Sequence, residues 1–231
     1  MYAKFFKRLI DFTLSFIALI VLSPILLILI IVGAIVMKGN PFFLQPRPGR
    51  KGKDGEEKIF HLIKLRTMSN ARDINGILLP DDQRLGRYGS WLRSTSADEL
   101  PSLINIMLGS ASIVGPRPFL VRDLVFMTDE QRRRHDVRPG LTGLAQVNGR
   151  NNITWEQKFE YDLQYIDEGI TFIGDVKIIM QTVGKVLKRS DTVREGTVSD
   201  MDFGDWLMMK GKVTKEEYEE KQVEARELLK V

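Results

Sequence analysis

The chain contains no cysteine and only two histidines in 231 residues. Without cysteine there is no disulfide framework, no zinc-thiolate site and no thiol nucleophile, and a reducing, cytosol-facing location fits that absence. His61 and His135 lack a partner at ligand spacing, which argues against histidine-based metal binding. No Ser-His-Asp set is recognisable, so a carboxylate is the best nucleophile available. Also missing are any internal repeat, any low-complexity tract and any excess of acid: the formal net charge is +4. That balance points to anionic company, which could be phosphate-bearing substrates, lipid headgroups or nucleic acid.

What is present begins with a charge-free, mostly apolar run from Phe12 to Met37. It is too long for a signal-peptide core and lacks a small-residue cleavage site after it. As one helix it would extend about 39 Å, enough to cross a hydrocarbon core of about 30 Å. Ser23 and Pro24 sit near its centre. Proline has no N–H and crowds the carbonyl four residues back, so a kink is expected, with the Ser23 hydroxyl free to serve a backbone group. Each arm would then be about 18 Å long, too short to span. Lys4, Lys7 and Arg8 precede the run, and Lys38, Arg47, Arg50, Lys51 and Lys53 follow it. The positive-inside rule puts both ends on the cytoplasmic side. A kinked single-pass anchor and a re-entrant hairpin both remain open on the residues alone.

The stretch GNPFFLQPRPGRKGKDGEEK reads as a loop leaving the membrane surface. IFHLIKLRTM (59–68) alternates like a strand, and SNARDINGILLPDDQRLGRYG reads as polar loop with a short helix. Four capping boxes mark helix starts: Ser96 with Glu99, Thr128 with Gln131, Thr154 with Gln157, and Thr214 with Glu217. The segment 172–189 is amphipathic, suited either to the bilayer surface or to core packing with snorkelling lysines. The charged helix after Thr214 reads as a solvated or partner-facing appendage.

Three motifs could carry chemistry. Asp98 and Glu99 occupy a first helical turn, where carboxylates are favoured both for helix stability and for staying ionised. In VGPRP (114–118) two prolines bracket Arg117 and restrict its backbone. VRPGLTGLAQVNGR (137–150) sets Arg138 and Arg150 at the ends of a glycine-rich loop with Gln146 and Asn148. Such a loop could bring N–H groups and guanidinium forks to a diphosphate, or be an ordinary surface loop. Lys64, Arg66 and Arg93 add positive charge near the same landmarks.

KFFKRLIDF, the Ser-Pro segment, KLRTM, STSADELPSLINIMLGSASIVGPRP, VRPGLTGLAQVNGR and KFEYDLQYI, in that order, resemble the bacterial sugar transferases, the monotopic polyprenyl-phosphate phosphoglycosyl transferases. The resemblance runs from about residue 4 to about residue 190 and looks like the small form of that family. It implies transfer of a sugar 1-phosphate from a UDP-sugar to polyprenyl (undecaprenyl) phosphate on the cytoplasmic face of the inner membrane, releasing UMP. Asp98 would be the nucleophile of a covalent phosphosugar intermediate and a ligand of Mg²⁺, with Glu99 assisting. Lys64, Arg66, Arg93, Arg117, Arg138, Gln146, Asn148 and Arg150 would bind substrate, and Asp162 and Asp175 would orient helices. Leu65 and Leu144 depart from the aromatics common in the family. Ser23 and Pro24 match the family's helix break, which favours the hairpin.

The expected fold is mixed α/β and mostly helical. It comprises a re-entrant helix-break-helix anchor (1–38), a catalytic domain with a small β element and interfacial amphipathic helices (39–195), and a charged extension (196–231). Anionic lipids and downstream glycosyltransferases are expected as partners, nucleic acid is not, and the oligomeric state and the sugar are left open. The rival reading is a membrane-anchored, non-enzymatic basic protein binding nucleic acid or anionic lipid, for which the run Arg132, Arg133 and Arg134 would be the contact surface.

Overall fold

The computed structural model describes residues 1–149, 152–188 and 201–230. After a helical turn at Tyr2–Phe6, helix α1 runs from Lys7 to Val36 with Pro24 inside it. Both expected arms are helical, and no non-helical residue separates them at Pro24. Pro24 removes the donor that would reach the Ile20 carbonyl, and the Ser23 hydroxyl donates to that same carbonyl at 2.8 Å.

The apolar run from Tyr2 to Val36 is long and apolar enough to cross a membrane, but one face of α1 is not lipid-ready. Asp11, Ser15, Leu26, Leu29 and Gly33 are buried, and Ala18, Leu19 and Leu22 pack on Leu103, Ile106 and Ala111. These positions recur at helical spacing. Arg8 donates to the Ile106 and Met107 carbonyls, both at 2.6 Å. The Asp11 carboxylate accepts from Ser112 Oγ at 2.7 Å and from Ile113 N–H at 3.1 Å. Beyond Pro24, the Tyr88 hydroxyl donates to the Leu29 carbonyl at 2.8 Å, and Leu29 packs with Leu65 and Leu92. The helix thus touches the rest of the chain on both sides of its proline.

Strands β1 (Phe42–Lys51) and β2 (Glu57–Leu65) form an antiparallel hairpin. The segment expected to be a loop is β1. Its Pro46 and Pro48 are tolerated because the sheet has only two strands, so the missing N–H groups fall on an edge. Helices α2 (Asp81–Arg84) and α3 (Arg87–Thr95) follow, then a tight helical turn at Ala97–Ser102 that leads into α4 (Leu103–Leu108). Asn105 ties α4 to β2: its amide donates to the His61 carbonyl and its oxygen accepts from Ile63 N–H, each at 2.9 Å.

Strand β3 (Ser112–Val114) pairs in parallel with β4 (Gly140–Thr142), flanking α5 (Val121–Leu124) and α6 (Asp129–Arg132). The chain continues through α7 (Leu144–Val147), α8 (Trp155–Asp167) and α9 (Phe172–Lys188). It ends in α10 (Phe203–Met209) and α11 (Lys215–Leu228). The boxes at Thr128, Thr154 and Thr214 all form with both reciprocal hydrogen bonds.

Helix α9 combines both readings of its sequence. Asp175 and Ile178 are buried, while Phe172, Ile173, Val176, Met180 and Val183 leave an apolar stripe exposed. Asp175 accepts from Tyr2 Oη at 2.7 Å, Lys7 Nζ at 2.5 Å and Tyr165 Oη at 2.8 Å, which fixes the N-terminus to this helix. The extension is no free appendage. Phe203 is 3% exposed in a cluster with Leu124, Met127, Trp155 and Phe159.

Arg134 and Asp162 are the deepest ion pair, at 2.6 Å and 1–2% exposed. Asp162→Ala would leave the guanidinium buried without its counter-ion, a loss of about 3–5 kcal/mol. Thermal unfolding of that variant should show a midpoint lower by on the order of 10 °C. A shift within about 2 °C would mean that water reaches Arg134.

Candidate active site

The fourth capping box does not form, and its failure builds the site. Ser96 ends α3 in the left-handed region at φ 56° and makes no side-chain cap, an uncommon conformation outside glycine. Glu99 is thereby released from capping. Its Oε1 accepts from Lys64 Nζ at 2.8 Å and Arg117 Nη2 at 2.6 Å, and its Oε2 faces Arg117 Nη1 at 3.4 Å. Burial alone would raise the Glu99 carboxyl, but Arg117 and Lys64 outweigh it and hold the group far below the usual carboxylate range. Burial pushes Lys64 down in turn.

Asp98 next to it is in the opposite state. No side chain among the described residues hydrogen-bonds its carboxylate. It feels Lys64, Arg117 and Arg93 only as charges. Burial, then the adjacent Glu99 charge, raise its pKa, and those three cations pull it back. Asp98 lies in the first turn of a helical segment, here short and tight, and the side-chain cations around it favour its ionised form against burial. Arg93 is aimed here by its Nε, which donates to Thr67 Oγ1 at 3.1 Å.

Of the residues singled out in the sequence, Lys64, Arg93, Asp98, Glu99 and Arg117 come together. Arg66 lies just past β2, its N–H bonded to the Pro41 carbonyl at 2.7 Å. Gln146 donates to the Leu141 carbonyl and Asn148 to the Leu144 carbonyl, so both brace their own loop. Arg138 donates from Nε to the Gly109 carbonyl at 2.8 Å and lines a separate basin. Arg150 lies outside the described residues. The loop glycines serve packing rather than an anion cradle: a Cβ on Gly140 would sit 2.1 Å from Gly115 N, and one on Gly143 would sit 2.2 Å from Gly115 O. Asp162 reaches the site indirectly, since Arg134 donates to the Arg117 carbonyl at 2.6 Å and stacks over Phe119 at 3.7 Å.

Arg47 was not singled out as a site residue, yet it lines the same pocket as Glu99, Ser102, Arg117 and Pro118. It donates to the Pro118 carbonyl at 2.7 Å and to Gln45 at 2.6 Å, while its buried Nε has no partner among the described residues. Burial and then repulsion from Arg117 lower it to about 10. The signal was available: QPRPG repeats the proline-bracketed arginine of GPRPF.

The basic run of the rival reading is spent internally. Arg132 pairs with Glu57, Arg133 with Glu130 and Asp167, and Arg134 with Asp162. As for a divalent cation, no group of three His, Asp or Glu side chains is assembled among the described residues. Mg²⁺ commonly takes one or two carboxylates and fills its other positions with water and substrate phosphate oxygens. Asp98, with its oxygens uncommitted, fits that donor set.

A family model for bacterial sugar transferases matches residues 2–189, and the chain belongs to that family. The uncharacterized sugar transferase EpsL of Bacillus subtilis is 48% identical over 181 residues, covering 78% of this chain and 87% of the relative. The UDP-glucose:undecaprenyl-phosphate glucose-1-phosphate transferase of Klebsiella pneumoniae is 39% identical over 195 residues, covering 78% of this chain and 40% of its own length. The undecaprenyl-phosphate galactose phosphotransferase of Salmonella typhimurium is 30% identical over 200 residues, with 81% and 41% covered. The chain therefore spans about two fifths of those two longer relatives.

The extension falls outside the family match but braces the site from behind. The buried Asp123 carboxylate accepts from Leu120 N–H at 3.0 Å and Phe203 N–H at 2.9 Å, linking α10 to the segment that follows Arg117. Asp123→Ala strands two buried donors and should cost about 2–4 kcal/mol. Limited proteolysis of the full chain should then cut within α10–α11 at protease levels that leave the wild type intact. Unchanged cleavage and unchanged thermal midpoint together would remove Asp123 from this role.

Proposed function

We propose that the chain is a phosphoglycosyl transferase that moves a sugar 1-phosphate from a UDP-sugar to polyprenyl phosphate, with Asp98 as the attacking group. One observation carries the assignment: of two adjacent carboxylates, Glu99 is saturated by Lys64 and Arg117, while the Asp98 carboxylate has no hydrogen bond among the described residues and is surrounded by cations. A nucleophile must have an uncommitted lone pair, and a phosphate pocket must offer positive charge before the reaction starts. The names of the Klebsiella and Salmonella relatives support the acceptor class.

In this reading an Asp98 oxygen attacks the β-phosphorus of the donor. The bond from that phosphorus to the bridging oxygen breaks, and UMP departs with the electron pair. A phosphate oxygen of the polyprenyl acceptor then attacks the same phosphorus, which breaks the aspartyl bond and restores the carboxylate. Arg117 and Arg93 stabilise the charge that builds on the phosphoryl oxygens, and Arg47 adds positive potential from behind Arg117. Glu99 keeps Lys64 and Arg117 in register, so it acts as a positioning residue. Mg²⁺ held by Asp98 and the diphosphate would screen the repulsion between them. Lys64, Arg66, Gln146, Asn148 and Arg150 stay as expected substrate or loop-shaping positions, whereas Arg138 faces the separate basin.

The membrane reading follows from α1. A bilayer-spanning helix would carry one end about 30 Å from the side it left, whereas α1 is anchored at Arg8 and Asp11 and again at Leu29 and Gly33. This supports a monotopic, re-entrant attachment with both ends on the cytoplasmic face of the inner membrane. We assign residues 1–38 to that anchor, 39–195 to the catalytic part and 196–231 to the bracing extension.

Detergent-solubilised protein with Mg²⁺ and a UDP-sugar should release UMP, and intact-protein mass spectrometry without acceptor should show a sugar-phosphate adduct. Asp98→Asn should lose adduct and turnover while keeping its circular dichroism spectrum. An adduct on that variant would overturn the nucleophile. Because Asp98 must be ionised and burial has raised its pKa, the acid limb of the rate profile should lie above the ordinary Asp range. Lys64→Met removes a cation favouring the charged form, so the limb should move to still higher pH along with a fall in rate. A limb that stays put would show that another group titrates there.

A further inference from the structure

At the turn end of the β1–β2 hairpin, the opposite end from Lys64, lies an open basin of about 420 Å³ bounded by the hairpin turn, Gly109 and Arg138. Arg50, Lys53 and Lys58 point into its surroundings from the turn, and none of them forms an ion pair among the described residues. Its other basic member, Lys51, is already paired with Asp136 at 2.9 Å. Of the acids of the turn, Asp54 accepts from Glu56 N–H and lies beside Gly52 and Lys58 at the edge of the basin, whereas Glu56 and Glu57 face Arg132.

Arg138 spends only Nε, on the Gly109 carbonyl. Arg8 closes the other side of Gly109, whose added Cβ would meet Arg8 Nη2 at 3.1 Å. Burial and then the charges of Arg50 and Arg8 lower the pKa of Arg138, so these guanidiniums repel one another in the absence of an anion. Asp11, the acid whose charge acts on Arg138, is committed to Ser112 and Ile113. A cluster of this kind stores a preference for phosphate, which Arg forks match in shape.

We propose that Arg50, Lys53, Lys58 and Arg138 form a second anion site, distinct from the Asp98 pocket, which takes the phosphate of an anionic lipid headgroup, with Arg8, itself held by the Ile106 and Met107 carbonyls, adding positive potential from across Gly109. The lipid source is argued from the rim. Leu108, adjacent to Gly109, is 70% exposed, and Leu9, adjacent to Arg8, is 53% exposed. Arg8 is the last cation before the apolar length of α1. An anion here would sit at the level where that helix enters the bilayer, and it would hold the hairpin against the headgroups while Asp98 handles substrate.

The test reads binding alone, so it stands or falls apart from turnover. Full-length protein in neutral detergent is titrated calorimetrically with dihexanoyl phosphatidylglycerol, dihexanoyl phosphatidylcholine or inorganic phosphate. The glycerol lipid should bind saturably and more tightly than the other two. Arg50→Gln with Lys58→Gln should weaken it roughly 10- to 30-fold, since each basic residue near such a surface contributes on the order of a factor of five. Lys215→Gln with Lys221→Gln on α11 removes equal charge elsewhere and should leave binding unchanged. Equal weakening by that control, or equal binding of the choline lipid, would overturn the site. Inorganic phosphate binding as tightly as the glycerol lipid would assign the basin to a soluble anion and overturn the lipid source.

Discussion

The double ion pair on Glu99 is the contact around which the rest is arranged. It joins three segments far apart in sequence: Lys64 at the end of β2, the tight turn after α3, and Arg117 between its prolines. Without the carboxylate, the buried Lys64 ammonium would face the partly exposed Arg117 guanidinium as a like charge with no counter-ion, which is costly for the buried partner. With it they are held in a fixed geometry, and the price of desolvation falls on Glu99 rather than on its neighbour. Asp98 is left with raised basicity and unoccupied oxygens. The division of labour between two adjacent acids comes from environment, as it does wherever paired carboxylates take different roles.

The same contact explains why the polar inner face of α1 matters. Asp11 holds Ser112 and Ile113 at the start of β3, and β3 leads directly into the Arg117 loop. Arg8 holds the end of α4, the helix that follows the tight turn. The apolar segment therefore does more than provide grease: its first turns are fastened to the two elements that flank Glu99. A shift of α1 would be felt at the dyad, which gives a physical link between membrane attachment and the site.

How much of this was legible in the sequence can be judged residue by residue. The boxes at Thr128, Thr154 and Thr214 rest on local spacing alone, and all three formed. Ser96 with Glu99 had the same spacing and did not, because tertiary charges from Lys64 and Arg117 outbid a cap worth about 1 kcal/mol. Local rules fail most usefully at such places. The proline-bracketed Arg117 was legible, and Arg47 carried the same signature, but its segment read as a loop because two prolines disguise an edge strand. The loop glycines were left open between an anion cradle and an ordinary loop, for a different reason. Their role depends on Gly115, some 25 residues earlier, and backbone-to-backbone approach leaves no local trace. Nor could composition place the extension, since a charged helix such as α11 says nothing about Phe203 ahead of it.

Two positively charged clusters then remain to be compared, and their compensation differs. Around Asp98, the cations Lys64 and Arg117 already have Glu99, so part of the positive charge is compensated before substrate arrives while Arg93 and Arg47 leave the pocket net positive. Around Gly109, Arg8, Arg50 and Arg138 have no free acid, and the basin gains from keeping its anion. The first arrangement suits a group that must come and go in each turnover, the second one that stays. In the proposed scheme, transient and lasting phosphate recognition fall at opposite ends of one hairpin, with β2 contributing Lys64 to the first and Lys58 to the second.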